Sequence, residues 1–174
     1  QSATLFSGNR LTTGFDYQHF GGESWNKVLA SGERKPGVDK QMDEFAGYVD
    51  FRQDIGKRLS LNAGVRIDHH SHVGTEIIPQ GGLAVHLPRN AELKAMASKG
   101  FRNPTIREMY MFPPQNPDLR PERLMNYELS FSQKLLKNTF YYGINLYYID
   151  GDNMITVDST SAIPLYVNTD AIDI

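Results

Sequence analysis

Asp68-His69-His70-Ser71-His72, with Glu76 close behind, is the densest run of chemistry-bearing side chains in the sequence. Several imidazoles and carboxylates together suit Zn, Cu, Ni or Fe. The segment has the period of an extended strand, so His69 and His70 diverge to opposite faces and leave His70 and His72 as the same-face pair. Two ligands fall short of the usual three or four. The favoured expectation is therefore a solvated polar rim, with His70 and His72 kept as the candidate metal ligands. Asp68, His69 and Ser71 have the residue types of acyl transfer, but neighbours on one strand do not make a relay. Gly21-Gly22 and Gly81-Gly82 lack a following helix to aim amides at phosphate. With no Cys there is no thiolate ligand, nucleophile or disulfide. Neither an enzymatic role nor a cofactor is expected.

The elements that must position these groups read as sheet. The chain has 174 residues, with 18 Lys+Arg against 20 Asp+Glu, a balance that suggests no nucleic-acid partner. Nine Phe, nine Tyr and one Trp, interspersed with 15 Gly and nine Pro, favour strands over long helices. No run of apolar residues is long enough for a spanning helix, and Gln1 to Gly8 do not resemble a signal peptide. A β-barrel escapes both tests, because a spanning strand needs only about 9–11 residues and shows half of them to lipid.

Strict alternation is clearest where Leu59, Leu61, Ala63, Val65 and Ile67 alternate with Ser60, Asn62, Gly64, Arg66 and Asp68. The same period marks Leu11–Tyr17, Phe45–Phe51, Gly81–Leu87, Leu93–Ala97, Tyr127–Phe131 and Tyr142–Tyr148. A weaker stripe, Ile163–Asn168, begins at a proline. Helix is confined to short turns such as Thr105–Tyr110. The expected fold is all-β, an antiparallel up-and-down meander of about eight strands.

The connections alternate between short (Asp54–Arg58, Pro88–Asn90, Leu135–Asn138) and longer (Gly21–Asp43, His69–Glu76, Arg102–Glu122, Gly151–Ala162). In a meander this puts short turns on one rim and long loops on the other, as in outer-membrane barrels. Tyr17, His19, Phe51, Tyr127 and Tyr148 end the apolar stripes as an interfacial girdle would. Pattern alone leaves a membrane barrel and a soluble β domain evenly matched. A lipocalin-like barrel would turn its apolar stripe inward around a small apolar ligand, and a passive porin would share the membrane pattern.

The long loop reads Ser98-Lys99-Gly100-Phe101-Arg102-Asn103-Pro104-Thr105-Ile106-Arg107-Glu108, then Asn116-Pro117-Asp118-Leu119-Arg120-Pro121-Glu122, then Asn126-Tyr127-Glu128. Its five prolines restrict the backbone, so it should be ordered, with Arg102, Arg107, Glu108, Arg120, Glu122 and Arg123 pairing internally. Met109, Met111, Tyr110 and Phe112 are expected to pack this loop onto the rim more than to meet a ligand.

This string resembles the barrel of TonB-dependent outer-membrane receptors, and Gly64-Val65-Arg66-Ile67-Asp68 is similar to a barrel-strand phrase of that family. The resemblance implies a barrel of about 22 strands, closed by an N-terminal plug and energised by the TonB complex. It would import a scarce nutrient: a ferric siderophore first, otherwise haem or cobalamin. Thr105–Gln115 contains no His, which counts against haem. On this footing residues 1–174 are part of a receptor barrel in the bacterial outer membrane, without its plug, TonB-contacting box or full strand set. Its partners would be outer-membrane lipid, the plug of the same full-length chain, the TonB complex, and a metal chelate or vitamin. Trp25, Arg102, Arg107 and Tyr110 are the candidate ligand contacts, with Lys27, Arg34, Lys35 and Arg10 near Trp25 in sequence. Arg52, Arg66, Lys94 and Glu128 would line the lumen. An isolated open sheet leaves two edges unpaired, so the chain is expected to curl closed or to pair edges with another copy.

Overall fold

The computed structural model describes residues 1–136, 139–160, 163–169 and the backbone of 172–173. Its strands are β1 (Ser2–Ala3), β2 (Asn9–Lys27), β3 (Arg34–Ile55), β4 (Leu59–His70), β5 (Gly74–Leu87), β6 (Ala91–Arg102), β7 (Glu122–Leu135), β8 (Phe140–Asp152), β9 (Ile155–Asp158), β10 (Leu165–Asn168) and β11 (Ile172–Asp173). Among the described residues β1 to β8 pair in chain order as antiparallel neighbours, and β11 adds to β8. The expected meander is present.

Backbone conformation explains the tight turns. Gly56 has φ +61° between β3 and β4, a region that costs an L side chain strain. Arg89 and Asn90, at φ 61° and 56°, carry the β5–β6 turn with the paired positive φ of a right-twisting hairpin. Lys137 and Asn138 of the expected Leu135–Asn138 turn lie outside the described residues, as do Ser161 and Ala162 of the Gly151–Ala162 excursion.

Four expectations need correction. Gly21–Asp43 is not a loop: β2 and β3 stay paired up to Lys27↔Arg34, well past the point where β4 ends opposite Glu44. Alternation fades there because one face packs only locally, through Val38 and Met42, and the other is exposed, yet backbone hydrogen bonds carry the ribbon on, with one irregularity between Glu23 and Trp25. The His69–Glu76 connection shrinks to Ser71–Val73, since both strands run on to the Gly74 turn. Ile163–Asn168 is no eighth wall strand, because β10 pairs with β9 in a separate two-stranded sheet. Finally, the sheet does not curl closed. The face opposite the apolar stripes carries Asp16, Arg66, Asp50 and Gln80 in polar contacts that a dry small-barrel core would desolvate.

That distribution also explains where the core lies. Phe15, Phe45, Val65, Ile67, Leu129, Ile144 and Leu146 form a continuous exposed apolar face. Tyr17 with Phe45 and Tyr127 with Tyr148 mark one end of it. The main buried apolar cluster sits beyond that end: Met42, Ile106, Met109, Tyr110 and Leu119, flanked by Val38, Val73, Met111, Ile155 and Tyr166. It joins the β2–β3 ribbon, the long loop and the β9–β10 hairpin.

Candidate functional site

The rim above the apolar face is built around one arginine. Thr105-Ile106-Arg107-Glu108 is a capping box: the Thr105 amide and hydroxyl donate to Glu108 Oε2 at 2.8 and 2.9 Å, and the Glu108 amide donates to Thr105 Oγ1 at 3.2 Å. It opens a single π-helical turn, Arg107–Met111, that drives Met109 and Tyr110 into the core. Arg102, the last residue of β6, donates to both Glu108 oxygens and to Glu122. The other Glu122 oxygen accepts the Ile155 amide at 2.8 Å, which seats β9.

The Asn116–Glu122 box is a second docking strip. Asn116 Nδ2 donates to the Tyr166 carbonyl at 2.8 Å, and the Arg120 amide donates to Asn168 Oδ1 at 2.9 Å. Asn168 Nδ2 returns bonds to the Arg120 and Asn153 carbonyls. Leu119 between these contacts is buried. The loop expected to be ordered by its prolines is ordered by these pairings as well.

Beside the loop lies an open cavity of about 510 Å³, walled by Phe20, Glu44, His70, Asn103, Arg107 and Met111. Gly22 lets the loop approach the ribbon, for a Cβ there would lie 2.9 Å from Met111 and 3.1 Å from Ile106. Gly22→Val is therefore expected to unseat the helical turn, raising amide exchange over residues 105–111 while the β4–β5 ladder stays protected. Unchanged exchange there would contradict the packing described.

The histidines are committed to structure. His70 Nδ1 accepts the amides of His72 and Val73 at 3.1 and 3.4 Å, so the neutral ring carries its proton on Nε2. Burial, then the neighbouring His72, pushes its pKa down. His72 Nε2 lies 2.8 Å from Tyr110 Oη and 3.1 Å from the Pro117 carbonyl. His69 points elsewhere, with Nδ1 2.8 Å from Thr75 Oγ1. Among the described residues no three His, Asp or Glu side chains are arranged to hold a metal.

Of the four candidate ligand contacts, the structure brings Arg107 to the cavity, its guanidinium 5.0 Å from the Phe112 ring centre. Arg102 is occupied by its two glutamates. Tyr110 is 8% exposed, with Lys40 Nζ 4.9 Å from its ring centre. Trp25 stands on the projecting ribbon with the Arg34 guanidinium 4.0 Å from its ring centre. Arg10, paired with Arg52, lies towards the opposite end of β2 from Trp25. Phe20, Glu44 and Asn103 escaped the sequence reading. Phe20 and Glu44 flank the stretch Gly21–Asp43 that reads as loop, and only the register of β3 with β4 sets Glu44 against His70.

Glu44 stands out electrostatically. It lies just above the apolar band, whose last rung is Phe45↔His69↔Thr75. Burial first, then the adjacent Asp68 carboxyl, push its pKa up to about 6 against the pull of Arg66 and Asn103.

A wall with one apolar and one polar face, topped by a packed loop cluster, is matched across residues 2–174 by the family model described as "TonB dependent receptor-like, beta-barrel". The chain belongs to the TonB-dependent receptor β-barrels. Its place is the bacterial outer membrane, and its exposed apolar stripe is the lipid-facing surface of such a barrel. The family sets aside the lipocalin-like barrel and the passive porin.

Among curated relatives, the vitamin B12 transporter BtuB of Photobacterium profundum is 28% identical over 123 residues, 71% of this chain and 20% of BtuB. The iron-regulated outer membrane virulence protein of Vibrio cholerae is 30% identical over 96 residues, 50% of this chain and 15% of that protein. Two solved receptors from Pseudomonas aeruginosa share the fold. A mutant of the ferric enterobactin receptor PfeA in complex with enterobactin has TM-score 0.84 at 16% identity, covering 99% of this chain and 31% of that chain. The siderophore receptor PirA has TM-score 0.79 at 19% identity, covering 98% of this chain and 33% of PirA. This stretch of barrel wall thus spans about a fifth or less of the curated relatives' length.

The rim's ion pairs give the receptor segment an acid-side limit. Burial pushes the Glu108 carboxyl up, but Arg102 and Thr105 outweigh it and hold it below the ordinary range; Arg102 does the same to Glu122. Groups whose folded pKa is depressed stabilise the fold above their unfolded pKa and lose that effect as pH falls through the folded value. Rate-corrected amide protection over residues 103–121 should therefore fall below about pH 4. A loop equally protected down to about pH 2 would contradict this.

Proposed function

We propose that this wall segment serves in an active importer of a scarce nutrient, with an iron–siderophore complex as the first candidate cargo. Import would be driven by TonB through a plug carried on the same full-length chain. The observation that carries the proposal is the family match over residues 2–174. The rim cavity supports it: apolar Phe20 and Met111 flank His70 and Arg107 beside the polar face, a lining suited to an organic chelate with acceptor oxygens. Arg107 is the contact proposed at the cavity, and Trp25 with Arg34 a first contact on the ribbon. Arg102 and Tyr110 act on the ligand through the loop they hold. The role is binding and transport, with no bond made or broken.

Cobalamin is a second candidate cargo, favoured by the likeness to BtuB over 71% of the chain. One experiment separates the two. A deletion strain carrying the full-length receptor is grown on single ferric siderophores or on cobalamin as the limiting nutrient. Rescue by a siderophore that weakens in Arg107→Ala supports the first cargo, and rescue by cobalamin alone supports the second. Rescue by neither, with the receptor present in the outer membrane, contradicts the importer.

A further inference from the structure

The polar wall below the cavity holds more negative charge than its cations balance. Arg66 donates to Asp16 through Nη1 and to Asp68 Oδ2 through Nε and Nη2, at 3.2 and 3.0 Å for the latter pair. Glu44 is the third carboxyl of the group, one oxygen accepting Asn103 Nδ2 at 3.0 Å, and it lies within hydrogen-bonding reach of Asp68. Asp68 is 2% exposed, and its Oδ1 receives no donor from the described residues. Two adjacent carboxylates, one of them buried with an open acceptor, are satisfied when one carries a proton and donates it to the other.

Among the described residues the surroundings offer no other compensation. From β2, Asp16 adds negative charge and Gln18 is neutral. From β4, Arg66 is committed to two carboxylates, and His70 is neutral because two amides donate to its Nδ1. From the loop, Asn103 is neutral, and Arg107 lies against Phe112 on the cavity wall. On β5, Glu76 opposite Asp68 is held by Lys99 and Arg123.

We propose that Glu44 and Asp68 share one proton, and that this proton latches the root of the long loop to the barrel wall. The chain of bonds runs from Asn103, the first loop residue, through Glu44, the proton, Asp68 and Arg66 to Asp16, tying the loop to β3, β4 and β2. Loss of the proton leaves two facing carboxylates, Asp68 buried and Glu44 half-buried, and their repulsion loosens the hold on Asn103. A carboxyl whose folded pKa is raised stabilises the fold below its unfolded value and loses that effect as pH rises through the folded one. For Glu44 that loss is centred at about 6. The latch is thus closed in mildly acidic surroundings and loosened at neutral pH.

The test is rate-corrected hydrogen exchange on the full-length receptor in detergent micelles, read over residues 103–111 without ligand. In the wild type, protection should fall roughly tenfold between about pH 5 and pH 7.5. Glu44→Gln keeps a carbonyl for Asn103 and supplies an N–H to Asp68, so its protection should stay at the acid-side level across the range. In Asp68→Asn, where Glu44 has no carboxylate neighbour to repel it and only burial still raises its pKa, the fall should be smaller than in the wild type. A flat wild-type profile, or a Glu44→Gln profile with the wild-type slope, overturns the proposal. Because no cargo is present, either failure would leave the importer reading to be judged by uptake alone.

Discussion

Met109→Ala is expected to unfold the rim cluster while leaving the barrel wall intact. Met109 is fully buried at the centre of the cluster, against Met42, Ile106, Tyr110 and Leu119. Truncating a buried long apolar side chain costs about 2–5 kcal/mol, from lost transfer energy and the cavity left behind. The site has little room to collapse, because its neighbours are held from three directions by the ribbon, the loop and the β9–β10 hairpin. Hydrogen exchange should show residues 103–121, β9 and β10 losing protection together, with β4 to β6 unchanged. Leu119→Ala is expected to do the same at smaller cost. Met109→Leu, of similar volume, should retain most of the protection. Exchange confined to the immediate neighbours of residue 109 would show that the three segments are not one cooperative unit.

Arg102→Ala carries the second large effect. Glu108 and Glu122 both pair with this guanidinium and are mostly buried, so its loss leaves two carboxylates facing each other. Arg102 itself is 43% exposed, and water will screen part of that repulsion. A cost of about 2 kcal/mol is expected, below that of breaking a fully buried pair. Lysine at this position cannot fork to two carboxylates, so Arg102→Lys should recover only part of the loss. The Ile155 amide bond to Glu122 predicts a specific signature: β9 loosens along with the helical turn. In the Arg102→Ala variant, Glu108→Gln should partly restore protection by removing one of the two charges, and no restoration would place the stability elsewhere.

These effects act on parts of the molecule that were unequally legible in the sequence. The wall was readable because one of its faces meets an apolar medium, and burial against lipid enforces the alternation of Leu59–Ile67 as strictly as a core would. Where that constraint ends the pattern ends too, although the strands do not. Gly21–Asp43 reads as loop because both faces of the ribbon are polar or mixed, and its pairing rests on backbone hydrogen bonds that leave no periodic trace.

The rim was legible in its chemistry and not in its contacts. A short helical turn over Thr105–Tyr110 was readable, as was internal pairing of the charged residues around it, which Arg102 provides; the capping box that opens the turn was not read. Which partners meet across the rim depends on register and on segments far apart in sequence. Asn116 reaches Tyr166, and Glu44 reaches Asn103, pairings that no local spacing encodes. The same limit applied to the histidines. Their spacing favoured a solvated polar rim, but the turn after β4 buries His70 under its own amides and leaves His72 between Tyr110 and Pro117.

The rim also has two titrations of opposite sign. Glu108 and Glu122 lose their hold on acidification, whereas the proposed Glu44–Asp68 proton is lost on the neutral side. Protection of the loop should therefore pass through a maximum between them, and Glu44→Gln should convert that bell into a single acid-side step.

The central claim is that the apolar stripe faces lipid while the opposite face lines the barrel interior. This chain contains no cysteine, so single cysteines can be placed at Val65, Leu129, Asn62 and Ser130 without competing sites in it. Spin labels there in the full-length receptor, reconstituted in bilayers, would report collisions with oxygen and with a water-soluble nickel chelate. The account predicts that Val65→Cys and Leu129→Cys labels favour oxygen, and that Asn62→Cys and Ser130→Cys labels do not. The opposite preference, or equal access to the nickel chelate at all four positions, would contradict it.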